Sequence, residues 1–339
     1  MTSPGTATAD GAAVRGRDLA KAARGGDRRA LARVLSEVEN RTAAAEAALR
    51  VLYPLAGEAH LVGITGAPGA GKSTLVAALV SKAREGGRPV AVLAVDPSSP
   101  ITGGAILGDR VRMQQHASDE DVFIRSMASR GHVGGLATST VAAAAVLDAC
   151  HFDLIFIETV GTGQSEVEVA AIADTTVVVQ APEMGDEVQA IKAGLLEVAD
   201  IVVVNKADRP GADRTASHLR AMLTVGGRHD RAFGDRPHPK RPEVLLASGA
   251  TGQGVPELLA SLDRRGAARA TASDEIDATR LARAEAQLAG ILAERLRQRI
   301  HDPARENETR TLLRAVAAHE LDPYSAADAL LRSLTHDGA

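Results

Sequence analysis

Residues 66–73, Gly-Ala-Pro-Gly-Ala-Gly-Lys-Ser, match the pattern G-x-x-x-x-G-K-[ST] at every fixed position. The flanks match as well. Leu61-Val62-Gly63-Ile64 reads as an apolar strand entering the loop, and Ser73-Thr74-Leu75-Val76-Ala77-Ala78-Leu79-Val80 as a helix leaving it. Gly66, Gly69 and Gly71 let the backbone turn its N–H groups inward, so that with the helix N-terminus they cradle phosphate. Pro68, Ala70 and Thr74 complete the expected nucleotide-binding stretch. Lys72 is expected on the β- and γ-phosphates, and the Ser73 hydroxyl on Mg²⁺.

The base is read further along. Ile201-Val202-Val203-Val204 has the character of a buried strand and runs into Asn205-Lys206-Ala207-Asp208, an N-K-x-D element. A carboxylate at Asp208 accepts hydrogen bonds from both N1–H and N2–H of guanine, whereas adenine would leave it unpaired. Sites built on such bonds discriminate by factors of about 10⁴ or more. Asn205 is expected to tie the loops together and the Lys206 stem to lie along the base. The nucleotide is therefore GTP or GDP.

Metal and switch chemistry lies between these motifs. The apolar strand Leu154-Ile155-Phe156-Ile157 ends in Glu158-Thr159-Val160-Gly161. Glu158 is expected to approach Mg²⁺ directly or through water, and Gly161 to give its N–H to the γ-phosphate. Thr162 stands where Ras-like proteins carry a water-orienting Gln; Gln164 is the nearest glutamine. Slow intrinsic hydrolysis is the expectation. A third strand, Val90 to Val95, ends in Asp96-Pro97-Ser98-Ser99-Pro100, and Thr102 to Arg110 follows as a glycine-rich stretch. Asp96 and Asp109 are candidates for the Mg²⁺ shell, since that ion prefers oxygen ligands. The competing roles are a strand-end turn residue for Asp96 and a helix N-cap for Asp109. Arg110 and Arg112 are candidate charge stabilisers, or equally solvated helix-face residues.

These blocks carry a family resemblance. Residues 63–74, 95–100, 104–110, Ile-Arg-Ser-Met-Ala-Ser-Arg-Gly (124–131), Glu-Thr-Val-Gly-Thr-Gly-Gln-Ser-Glu (158–166) and 205–208 resemble the MeaB/ArgK family. Its members are GTPase chaperones of adenosylcobalamin-dependent acyl-CoA mutases. The resemblance spans roughly residues 20 to 335 and implies a SIMIBI-like G domain with a mostly parallel sheet, flanked by helical extensions. It implies Lys72, Asp109, Gly161 and Gln164 in catalysis, with Ser73, Asp96, Asp109 and Glu158 around the metal. It also implies a third switch over 185–192, with Gln189 and Lys192 coupling nucleotide state to the mutase. By spacing these two share a helix face, and a solvated surface pair reads equally well. Gln180-Ala181-Pro182-Glu183-Met184, before that switch, departs from the family's Pro-Gly-rich turn. The second guanine-contacting loop, Ala247-Ser248-Gly249-Ala250, carries Ser-Gly where the family more often has Ser-Ala, and glycine's permissiveness predicts a less ordered loop. A cobalamin adenosyltransferase is a further implied partner.

Composition bounds the rest. The 339 residues are 45% hydrophobic but only 2% aromatic, with no Trp, so the core is aliphatic and there is no stacking platform for nucleic acid. The net charge of −4 argues the same way. Cys150 is the sole cysteine, which excludes an intrachain disulfide or zinc–thiolate site and reads as a small buried hydrophobe. No run approaches the ~20 apolar residues of a membrane span, and Met1–Asp10 has no signal-peptide pattern; a cytoplasmic protein is expected.

Organisation along the chain follows the same patterns. Residues 1–14 are expected to be a disordered tail, 15–56 a helical extension, 57–265 the nucleotide domain, and 273–339 a helical arm. A surface loop is expected over Gly226–Arg241. Leu281, Ala284, Leu288, Ile291, Leu292 and Leu296 form an apolar helical stripe. In the resembling family such an arm makes a homodimer. Three other readings compete. A nickel-type metallochaperone GTPase is disfavoured by ten scattered His without a tract. An amino-acid-transport kinase, a reading long attached to the family, lacks His-Arg-Asp and Asp-Phe-Gly elements. A nucleotide-dependent scaffold without useful turnover is separated by measuring turnover with a mutase.

Overall fold

The computed structural model describes residues 4–97, 116, 118–129, 135–159, 169–182, 196, 198–226, 242–271, 274–300, 302 and 306–336. Seven strands form one sheet: β1 (His60–Gly66), β2 (Val90–Pro97), β3 (Val122–Ser129), β4 (Leu154–Thr159), β5 (Thr175–Gln180), β6 (Ile201–Val204) and β7 (Glu243–Leu246). Their order is β3-β2-β4-β1-β5-β6-β7, and every pair is parallel. β4, β5 and β6 are buried along their whole length. That explains why they read as continuous Val/Ile/Leu runs without alternation: helices cover both faces of a parallel sheet.

β1 lies at the centre, in register with β4 (Ile64 opposite Glu158) and β5 (Gly66 opposite Val179). The C-terminal ends of β1, β4, β5, β6 and β7 therefore gather on one edge, where ligands of open α/β sheets bind. Helix α4 (Lys72–Glu85) follows the P-loop and buries Leu75, Val76, Leu79 and Val80 against Phe156, Val179 and Val203. Each such side chain contributes about 1.5–3 kcal/mol. On the other face α5 (Gly135–Ala149) supplies Ala143, Val146 and Leu147.

The N-terminal helices α1 (Pro4–Arg24), α2 (Arg28–Asn40) and α3 (Ala43–Leu52) join that second face. Asp27 caps α2 by accepting from Arg29 N and Ala30 N, and Arg41 ends it in the left-handed region. Leu31, Val34, Leu35 and Val38 then share its buried side. One expectation needs correction here. The tail expected to be disordered through residue 14 is helical from Pro4. Its helix is long enough to set Gly16 on α3, where a methyl group would fall 2.2 Å from Ala44 O. A composition argument weighs polarity and misses that contact. The chain divides into two compact units, Met1–Thr279 and Arg280–Ala339, and α1–α3 belong to the first.

The first unit also holds α6 (Ala212–Gly226) and α7 (Val255–Thr271). α7 runs past the expected domain end at 265, because Arg269 donates to Ala59 O, Gly57 O and Asp174 Oδ2. α8 (Asp274–Ile300) leads into the second unit, which contains α9 (Glu306–Ala317) and α10 (Pro323–His336). Asp322 starts α10 by accepting from Tyr324 N and Ser325 N. Among the described residues no helix is long and apolar enough to cross a membrane.

Candidate functional site

The P-loop turns on three glycines with positive φ: Gly66 (134°), Gly69 (76°) and Gly71 (88°). Two of them also lack room. A methyl group on Gly66 would lie 2.1 Å from Val179 O, and one on Gly71 2.6 Å from Asn205 Nδ2. The second contact reveals how the site is assembled. Asn205 Nδ2 donates to Ala70 O (2.8 Å) and Gly71 O (3.2 Å), while its Oδ1 accepts from Gly249 N (3.1 Å). One buried amide thus joins the phosphate loop, the β6 loop and the β7 loop.

Lys206 takes a left-handed backbone (φ 59°) and donates from Nζ to Gly69 O at 2.7 Å. Sequence reasoning gave it the base; the structure adds a brace on the phosphate loop, a contact no local pattern announces. Lys72 Nζ donates to Gly66 O (2.8 Å) and Ala67 O (3.1 Å) within the same loop.

The Ser73 hydroxyl donates to Glu158 Oε1 at 2.6 Å, and both residues are buried. β4 carries Glu158 to this point because Ile64 and Glu158 are in register on neighbouring strands. Thr65 and Thr159, which the sequence reading passed over, meet beside it at 3.3 Å between buried hydroxyls. Such a pair is visible only once β1 and β4 are known to be neighbours.

Ser248 Oγ donates to Asp208 Oδ1 at 2.5 Å, a bond that holds this carboxyl below the usual carboxylate range. Asp208 is therefore ionised at neutral pH and able to accept two donors. Ser248 N donates to Gln253 O, and its hydroxyl also accepts from Thr251 N. The expectation of a loosened loop at Gly249 is corrected: a methyl group there would fall 2.7 Å from Leu75 N and 2.8 Å from Thr74 C. Glycine is used for close approach to α4, and the loop is tightly packed.

The backbone of Asp96, next to last in β2, pairs opposite Ala128; its side chain lies outside the described residues. Asp109, Arg110, Arg112, Gly161, Thr162, Gln164, Gln189, Lys192 and most of the Gly226–Arg241 loop fall outside the described residues. Among the described residues no three His, Cys, Asp or Glu side chains group as a metal site. Cys150 is half-buried, directly after α5, with its thiol pushed up to about 11 by burial. A thiol raised in this way is disfavoured as thiolate, in keeping with a packing role.

Residues 31–305 match the family model described as methylmalonyl Co-A mutase-associated GTPase MeaB. A GTPase of Pyrococcus abyssi is 44% identical over 313 residues, covering 92% of this chain and 95% of its own length. GTPase ArgK of Escherichia coli K12 is 38% identical over 239 residues, 69% of this chain and 71% of its own. The mitochondrial methylmalonic aciduria type A homolog of mouse is 34% identical over 278 residues, 80% of this chain and 65% of its own. Among solved structures, that of an LAO/AO transport system kinase superposes with a TM-score of 0.66 at 27% identity, covering 95% of this chain and 98% of its own. With a phosphate loop, an N-K-x-D loop and a parallel sheet all in their places, the chain is a GTPase that binds GTP and GDP, and it belongs to the MeaB family of methylmalonyl-CoA mutase-associated GTPases.

Proposed function

We propose that this GTPase gates the loading, protection or reactivation of adenosylcobalamin on an acyl-CoA mutase, with methylmalonyl-CoA mutase or a close relative as partner. The observation that carries the partner is the family match over residues 31–305. The chain's own sequence has no Asp-x-His-x-x-Gly cobalamin motif, so the cofactor belongs to the mutase.

Within the site, Asp208 accepts from guanine N1–H and N2–H, and the Ser248 hydroxyl orients it. Gly249 lets the β7 loop reach the base. Lys72 leaves Gly66 O and Ala67 O for the β- and γ-phosphates once nucleotide enters. The buried Ser73 hydroxyl and Glu158 carboxylate, 2.6 Å apart at the loop's mouth, form the hard-oxygen donor set that suits Mg²⁺. Mg²⁺ held there would supply charge neutralisation to the bound phosphates. Asp96 and Asp109 complete its surroundings. Gly161 and Gln164 act at the γ-phosphate, and Gln189 and Lys192 couple to the partner. The apolar side chains exposed on α8, Leu281, Leu288 and Leu292 among them, support a homodimer through the second unit.

The experiment is GTP turnover by the purified protein, alone and with an adenosylcobalamin-dependent acyl-CoA mutase from the same organism. Stimulation of at least tenfold is the expected result. Turnover indifferent to any such mutase would remove the partner and leave a GTPase whose client is elsewhere.

A further inference from the structure

The chain from Asp119 to Val122, which leads into edge strand β3, is gripped from two sides by arginines of different origin. From the N-terminal extension, Arg28 at the first position of α2 reaches three main-chain carbonyls. Its Nη1 donates to Asp119 O (3.1 Å) and Glu120 O, its Nη2 to Val122 O (2.7 Å), and its guanidinium stands 5.6 Å from the centre of the Phe123 ring. From the phosphate-binding helix, Arg84 near the end of α4 takes the side chains of the same turn. Its Nε donates to Asp119 Oδ2 (2.9 Å) and its Nη2 to Asp121 Oδ2 (2.7 Å). Ser81, one turn earlier on α4, lies 3.1 Å from His116 Nε2. Beyond the turn, β3 returns the contact: Arg125 donates to Ser36 Oγ (3.1 Å) and Glu39 Oε2 (2.7 Å) of α2.

Two properties make this more than a surface staple. The two grips use different atoms of one short turn, carbonyls for Arg28 and carboxylates for Arg84, so both hold at once. Three carbonyls of different peptide planes also meet one guanidinium only if the turn keeps a single shape. α4 is the rigid member. It begins with Lys72 and Ser73 in the phosphate loop, and its 14 residues span about 20 Å at 1.5 Å per residue.

We propose that nucleotide occupancy of the phosphate loop is relayed along α4, through Arg84, the 119–122 turn and Arg28, to the N-terminal helical extension, which is a second output of the GTPase. By linkage the coupling is reciprocal: releasing Arg28 weakens nucleotide binding by the factor with which nucleotide strengthens the docking of α2. This relay rests on GTP binding alone and not on the identity of any partner.

Hydrogen exchange on the full chain tests it, in the free, GDP-bound and non-hydrolysable GTP-analogue-bound protein. α2 (residues 28–40) is compared with α6 (212–226) at the opposite end of the sheet, which controls for overall stabilisation. Nucleotide is expected to slow exchange in α2 about fivefold or more beyond its effect on α6. In Arg28→Lys, which keeps the charge but not the three-carbonyl grip, this extra protection disappears from 28–40 and persists over α4 and 116–123. The variant's nucleotide Kd rises by the same factor. Arg84→Gln removes the response from the other side, with loss at both 116–123 and 28–40, and serves if the first variant folds poorly. Equal nucleotide effects on α2 and α6 in the wild-type protein overturn the proposal. So does a nucleotide response of α2 that survives either substitution.

Discussion

At Gly249 the side chain is a single hydrogen because α4 passes 2.7 Å from where a methyl carbon would sit. The neighbour is helix backbone at the phosphate loop, so it has little freedom to yield. Gly249→Ala is expected to cost roughly 1–3 kcal/mol, the range of overpacking, and to weaken GTP binding as the β7 loop moves off Asn205. Calorimetry and nucleotide titration of the variant check both effects; an unchanged melting temperature would show that the loop has slack. Asp208→Asn replaces an acceptor with a donor towards guanine N2–H. One charge-assisted hydrogen bond to guanine is lost and the other becomes a neutral one, so GTP affinity falls by roughly 10-fold or more, with xanthosine nucleotides preferred instead. Retained GTP affinity would remove Asp208 from base recognition.

His60 poses a different residue-scale problem. It starts β1 with its Nε2 2.8 Å from Thr175 Oγ1, and burial pushes its pKa down to about 4 despite nearby Asp174. Gly266 of α7 packs over the ring, 3.0 Å from Nδ1 to the place of a missing methyl group. Since the folded pKa lies below the unfolded value of 6.5, both states are neutral above about pH 6.5 and no penalty applies. As pH falls from there towards 4 the unfolded chain takes up a proton that the folded one refuses, and stability drops. The full loss is of order 3 kcal/mol. Urea unfolding of His60→Gln is expected to show a shallower decline between pH 6.5 and 4 than the wild type. Parallel slopes would mean that other groups govern the acid limb.

At the scale of elements, α8 leaves an apolar stripe exposed. Leu281 is 70%, Leu288 59% and Leu292 52% exposed on it, although their spacing is that of a core-facing stripe. On α2 the same kind of stripe is buried almost completely. Periodicity gives the face of a helix, and it does not give what covers that face. Leu288→Asp with Leu292→Asp is expected to convert a dimer to monomers without lowering GTP affinity, read by light scattering and nucleotide titration. A wild-type protein that scatters as a monomer at micromolar concentration would end the dimer proposal.

For the whole molecule, nucleotide binding and folding are linked because the bound state draws on β1, β4, β6 and β7 together. A ligand at 100 times its Kd stabilises a protein by about 2.7 kcal/mol. At roughly 2–4 °C per kcal/mol for a unit of this size, GTP with Mg²⁺ should raise the melting temperature by about 5–10 °C. Lys72→Ala is expected to abolish hydrolysis and most of this shift. A variant that still turns over GTP would locate the chemistry elsewhere.

What the sequence determined by itself is local in the chain. The phosphate loop, the N-K-x-D element and the four-to-eight-residue Val/Ile/Leu runs each declare themselves within a few residues, because backbone turns and buried parallel strands impose short-range patterns. Gly66 and Gly71 are legible in this sense, each having a positive φ that a motif encodes. The tertiary structure alone decided what depends on residues far apart. Asn205 crosses 135 positions to bind Ala70, and Arg28 crosses 94 to bind Val122. Glycine at 249 changes from a flexible link to a required close contact once α4 lies beside it. These outcomes follow from strand order, and no short window holds that order: β1 sits between β4 and β5 because the buried faces of all seven strands must be covered at once.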